Sequence, residues 1–89
     1  MNKQAEKDLK QFVKDRNKAL TAWVMEDDFS ALVSYCLNYN IGLPDDIDVF
    51  KLAMYKAALG VTNLPNGVHD TAKQKIEAFL AHLEEKYGK

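Results

Sequence analysis

Between Ile47 and Val61, eleven of fifteen residues are apolar: Ile47, Val49, Phe50, Leu52, Ala53, Met54, Tyr55, Ala57, Ala58, Leu59 and Val61. Only Asp48, Lys51, Lys56 and Gly60 interrupt the run. At the helical period these side chains point in every direction. A surface helix carries one apolar stripe and one polar face, so a helix that is apolar all round has to be covered all round. A chain of 89 residues has few neighbours with which to do this. It buries roughly 60–65% of its unfolded surface. The segment is therefore either the central helix of a small bundle or a surface shared with another protein.

The flanking segments are also helical. Residues 3–25 carry Leu9, Phe12, Val13, Leu20, Trp23 and Val24 on one stripe, with Arg16 among them. Glu26-Asp27-Asp28 breaks that pattern, and Asp27 or Asp28 is a good N-cap for a second helix reaching about Tyr39. Its main stripe is Phe29, Leu32, Val33, Cys36 and Leu37, widened by Tyr35 and Tyr39. Asn40 or Gly42 is suited to the left-handed turn that ends a helix. After Ile41-Gly42-Leu43-Pro44, Asp45 or Asp46 caps the third helix, and Asp48 lies in its first turn, where the helix dipole favours an acid. That helix ends before the turn residues Asn63-Leu64-Pro65-Asn66-Gly67. Gly60 costs it roughly 1 kcal/mol relative to alanine, and a close helix crossing would account for the glycine. The last helix begins at about Val68 or Asp70 and runs to Tyr87, with Gly88 as its cap. Its stripe is Ala72, Ile76, Phe79, Leu80, Leu83 and Tyr87.

No segment alternates in the manner of a strand. The expected fold is all-α: a compact four-helix bundle-like domain with short loops that spans residues 1–89 as one unit.

The apolar fraction of 47% is that of a folded protein, and 28% of residues are charged. The net charge of −1 is unevenly laid out: residues 1–18 carry +3, residues 19–50 carry −6 with no base at all, and residues 51–89 carry +2. A general polyanion binder would be strongly basic. Cys36 is the only cysteine, which excludes an internal disulfide and a cysteine-based zinc site. It reads as a small buried hydrophobe in a reducing compartment. No run approaches the roughly 20 apolar residues that span a bilayer, and the charged N-terminus lacks a signal-peptide core. A cytoplasmic protein without a membrane partner is expected.

The middle of the chain resembles a family of small proteins encoded by phages and prophages of Gram-positive bacteria. The residues that carry the likeness are Arg16-Asn17-Lys18-Ala19-Leu20, Tyr35 and Tyr39 with Ile41, Pro44, Val49-Phe50 and Lys56-Ala57. They span about residues 12–65 and are packing and turn residues rather than chemical signatures. The ending departs from the family pattern at Phe79-Leu80, and Tyr55 stands where a histidine is expected. The resemblance implies a phage-encoded cytoplasmic accessory protein, acting in the bacterial host cytoplasm.

Little in the chain suggests catalysis. His69 and His82 are thirteen residues apart and do not form a helical metal clamp. Asp45, Asp46 and Asp48 lack the alternating oxygen ligands and distal glutamate of a calcium loop. The four glycines are isolated, so no phosphate-cradling loop is present. Cys36 lies in an apolar stripe, which raises a thiol pKa and quiets it. The chain is expected not to be an enzyme and to need no cofactor or metal.

Two surface readings remain. Tyr35, Tyr39, Tyr55 and Leu59 are candidate interaction residues, because amphipathic rings are enriched at interfaces. They point to a homodimer or to a different protein partner. The alternative is a nucleic-acid surface on the first helix, using Lys7, Lys10 and Lys14, which share one side with Lys3. It is disfavoured for helices two and three: the connector is long for a helix-turn-helix, and Asp45, Asp46 and Asp48 would face phosphates.

Overall fold

The computed structural model describes residues 2–88. It contains four helices: α1 (Lys3–Glu26), α2 (Phe29–Asn38), α3 (Ile47–Leu59) and α4 (Val68–Tyr87). No strand is present among the described residues. The all-α, four-helix reading holds.

Local chemistry sets the helix ends. The Asn2 side chain accepts the Gln4 N–H at 2.9 Å and opens α1. Asp27 ends α1 in the left-handed region (φ 53°), with its N–H donating to the Ala22 carbonyl. Asp28 then caps α2 by accepting the Ala31 N–H at 3.1 Å. Asn40 turns the chain out of α2 with φ 55°. Asp46 accepts the N–H groups of Asp48 and Val49 at 2.8 and 3.2 Å and opens α3. These carboxylates satisfy amides that a helix N-terminus otherwise leaves without a partner. Gly67 (φ 90°) precedes α4, where no side chain caps the helix.

The hub of the fold is α1 and not α3. α1 packs against each of the other three helices, α3 and α4 pack on each other, and α2 has backbone neighbours only in α1. Length is the reason. The 24 residues of α1 extend about 36 Å, enough to seat α2 and the α3–α4 pair on one rod. The core joins Leu20, Trp23 and Val24 of α1 to Leu32 and Cys36 of α2, Phe50, Tyr55 and Ala58 of α3, and Val68, Ala72 and Ile76 of α4. Each large aliphatic group fully buried there, such as Leu32 or Val24, contributes about 1.5–3 kcal/mol. Phe29 reaches from the start of α2 to Phe50, ring centroids 5.6 Å apart, and Lys51 Nζ lies 5.5 Å from the Phe29 ring.

Several residues assigned to apolar stripes lie outside the core. Leu9 is 57% exposed and Leu37 is 65% exposed, and Leu80 and Tyr87 are also open. Leu9 has the correct helical phase, but α1 runs on past the elements that cover its later turns. Residues 2–11 are all exposed. This overhang makes the molecule long: 53 × 30 × 20 Å, with a Cα radius of gyration of 14.5 Å. A compact chain of this length has about 12 Å. Leu37 lies where no other helix covers α2.

Gly60 also departs from expectation. α3 stops at Leu59, and Gly60 is its exposed C-cap with φ −83°. A Cβ there would meet only the Ala57 carbonyl oxygen, at 3.5 Å. No helix crosses it, so packing does not require a glycine.

Candidate interaction surface

The four candidate interaction residues separate into three environments. Tyr35 near the end of α2 and Tyr39, its C-cap, sit one turn apart and meet Phe12 of α1. The Phe12–Tyr39 rings are 5.0 Å apart and edge-on, Phe12–Tyr35 are 5.7 Å apart, and Tyr35–Tyr39 are 5.2 Å apart. Both tyrosines are half-buried. The Tyr39 hydroxyl donates to Asp15 Oδ2 at 2.5 Å, and Gln11 Nε2 donates to Asp15 Oδ1 at 2.9 Å. These two bonds hold the Asp15 carboxyl below its usual range, and the bond to Asp15 pushes the Tyr39 phenol up to about 12. Burial raises the Tyr35 phenol. The cluster closes one end of an open groove of about 380 Å³ along the α1–α2 seam, floored by Ala19, Ala22 and Ala31.

Tyr55 belongs to the core. It is 7% exposed and stacks on Trp23 at 4.7 Å with an interplanar angle of 22°. Phe79 of α4 packs on its other side at 6.2 Å. Burial raises its phenol pKa. Trp23 Nε1 is enclosed without a hydrogen-bond partner among the described residues.

Leu59 is 36% exposed and borders the outer face of α3. Val49, Ala53 and Lys56 form the centre of that face, at four- and three-residue spacing, and all three are exposed. Leu52 lies beside them, half-buried. Tyr55 and Leu59 are therefore not on one surface. The structure turns Phe50, Tyr55 and Ala58 inward and leaves Val49, Ala53 and Lys56 outward. Periodicity does not mark Val49 and Ala53, because a helix apolar on every side has no polar face to reveal its phase. The connector adds Ile41 and Leu43, and the first residue of α3 adds Ile47, all exposed.

The start of α3 is fixed to the end of α4. Lys86 Nζ and the Tyr87 hydroxyl each donate to Asp48 Oδ2 at 3.2 Å. The ion pair with Lys86 lowers the Asp48 pKa, while bonding to Tyr87 and to Asp48 raises that of Lys86. Lys75 and Asp27, 2.7 Å apart, tie α4 to the end of α1. Exposed pairs of this kind are worth about 0–1 kcal/mol each, so they orient the helices more than they stabilise them.

Lys7, Lys10 and Lys14 are exposed. With Lys3 and Lys18 they follow one another at three- and four-residue steps on the side of α1 opposite Leu20 and Trp23.

His69 bonds the Val61 carbonyl and braces the α3–α4 loop, and His82 packs near the Phe79 ring at 6.0 Å. No group of three or more His, Cys, Asp or Glu is placed to hold a metal among the described residues. Cys36 is 1% exposed, and burial pushes its thiol pKa up. No described helix is long and apolar enough to cross a membrane. No family model matches the chain, no curated protein matches it, and no solved structure matches its fold.

Proposed function

We propose that this chain works by binding protein rather than by catalysis, and that the outer face of α3 with the preceding connector is the binding surface. One observation carries the reading. Among the described residues ten large hydrophobics are exposed, and five of them fall in the connector and α3: Ile41, Leu43, Ile47, Val49 and Leu59. Soluble monomers scatter exposed apolar groups singly, and concentrated apolar surface marks interaction sites. The Tyr35–Tyr39 pair and its groove lie on a different side of α1 and are a secondary contact in this account.

A photo-crosslinking residue at Val49 tests the proposal in cells of the protein's own source. The expected result is one defined adduct, absent when the same probe replaces Lys73 on the exposed side of α4. Equal labelling from both positions, or none from Val49, would contradict it.

The resemblance noted over residues 12–65 makes this a proposed phage- or prophage-type accessory protein of the host cytoplasm. Neighbouring genes for phage replication, packaging or lysis are the expected genomic setting.

A second reading draws on the five aligned lysines. A face carrying Lys3, Lys7, Lys10, Lys14 and Lys18 extends about 22 Å along the helix, a span over which several backbone phosphates fall. In that reading α1 binds nucleic acid through charge alone, without reading its sequence.

A further inference from the structure

We infer that the occupant of the α3 outer face is a second copy of this chain, packed antiparallel along α3 about a two-fold axis near Ala53. The inference rests on the binding role proposed for this face and names its partner. The face is self-complementary. Acids stand at its N-terminal end, with Asp45 and Asp46 just before the helix, and a base stands near its C-terminal end at Lys56. Between them lie the apolar groups Val49 and Ala53, edged by Leu52 and Leu59.

Antiparallel pairing about Ala53 sets Val49 of one copy level with Ala57 of the other, next to the Lys56 stem. Asp45 of the first copy, just before the N-cap, then lies beyond Lys56 of the second by about 7.5 Å along the axis at the helical rise. The lysine and aspartate side chains together span that distance. The two-fold produces the Asp45–Lys56 pair twice, since an isologous interface repeats each contact. Among the described residues neither Asp45 nor Lys56 is in an ion pair.

The parallel arrangement fails on the same charges, because it places Asp45 beside Asp45 and Lys56 beside Lys56. The antiparallel one also opposes the two helix dipoles. Ala53 at the axis has no bulk, which permits the 8–10 Å approach of packed helices. Asp46 and Asp48 are already engaged within the chain, as the N-cap of α3 and the partner of Lys86. That leaves Asp45 for the partner copy.

The test is charge reversal, read by sedimentation equilibrium on the whole chain. The unaltered protein is expected to dimerise. Asp45→Lys and Lys56→Glu each juxtapose like charges and should weaken the dimer about tenfold. The double variant restores both pairs with reversed sign and should return the dissociation constant to within about threefold of the original. Both substituted positions are exposed, and circular dichroism confirms that each variant is folded. Ala53→Cys gives an independent readout: two such residues face each other at the axis and should form an intermolecular disulfide under mild oxidant, whereas Gln74→Cys should not. A monomer at about 100 µM, or a double variant no tighter than the single ones, would overturn the inference. A Val49 adduct to a different protein with the chain itself monomeric also overturns the second copy, yet leaves the binding role standing.

Discussion

The Tyr39 hydroxyl donates to the Asp15 carboxylate at 2.5 Å, joining α2 to α1 across 24 positions of sequence. The bond needs a neutral phenol and an ionised carboxyl, so it is lost at both ends of the pH scale. At the alkaline end the folded Tyr39 pKa is about 12, against an unfolded value of about 10. The folded state therefore holds more protons than the unfolded one between those values, and its stability falls as pH rises through that window. At the acid end the folded Asp15 pKa is lowered, chiefly by Tyr39. Its contribution is present above the unfolded value of about 3.9 and is lost as pH falls through the lowered one. Tyr39→Phe should flatten both dependences in urea unfolding followed across pH. An unchanged alkaline slope would contradict the bond.

Cys36 should react slowly with a thiol reagent in the folded state and rapidly in urea. It is buried, and burial disfavours the thiolate that does the attacking. Leu32→Ala, at a neighbouring fully buried position, should cost about 2–5 kcal/mol and speed the labelling by raising the open population. Labelling of the native chain at the unfolded rate would show Cys36 to be accessible.

Gly60→Ala should be neutral or stabilising by about 0.4–1 kcal/mol, because φ is −83° and the new Cβ makes only an ordinary contact. Thermal unfolding measures this. A loss above about 1 kcal/mol would mean that a neighbour crosses Gly60 after all.

Lys7, Lys10 and Lys14 decide the nucleic-acid reading. Converting all three to glutamate should abolish any gel shift of a DNA duplex, and the unaltered chain should show a salt-dependent shift with no preference among duplex sequences. Retained binding by the triple variant would remove α1 from the interface.

How much of this was legible in the sequence varies by residue. Asp28 and Asp46 were readable as caps because capping is local: a carboxylate reaches amides two or three residues on. Leu9 and Leu37 were assigned the inward phase of their helices, and both are exposed. Periodicity tells which side of a helix is apolar, and it says nothing about whether a neighbour reaches that turn. α1 as hub was hidden for the same reason. On α3 even the phase was illegible, since Val49 and Phe50 are both apolar and only tertiary packing decides that Phe50 turns inward. Tyr55 and Leu59 were grouped as one surface; the stack on Trp23 takes Tyr55 into the core and leaves Leu59 at the edge of the open face. Tyr35 and Tyr39 share a side because they are four apart, but the bond to Asp15 has no local signal.

The central claim is that α3 has two apolar faces, one committed to the core and one open for binding. Glutamate at Val49 and at Tyr55, compared by urea unfolding and sedimentation velocity, tests it most directly. At Tyr55 a carboxylate would be buried without a partner and should leave the chain unfolded. At Val49, which is 54% exposed, it should change stability by no more than about 0.5 kcal/mol and leave a folded monomer where the unaltered chain associates. A Val49→Glu protein that unfolds like Tyr55→Glu, or that associates as strongly as the unaltered chain, would contradict the account.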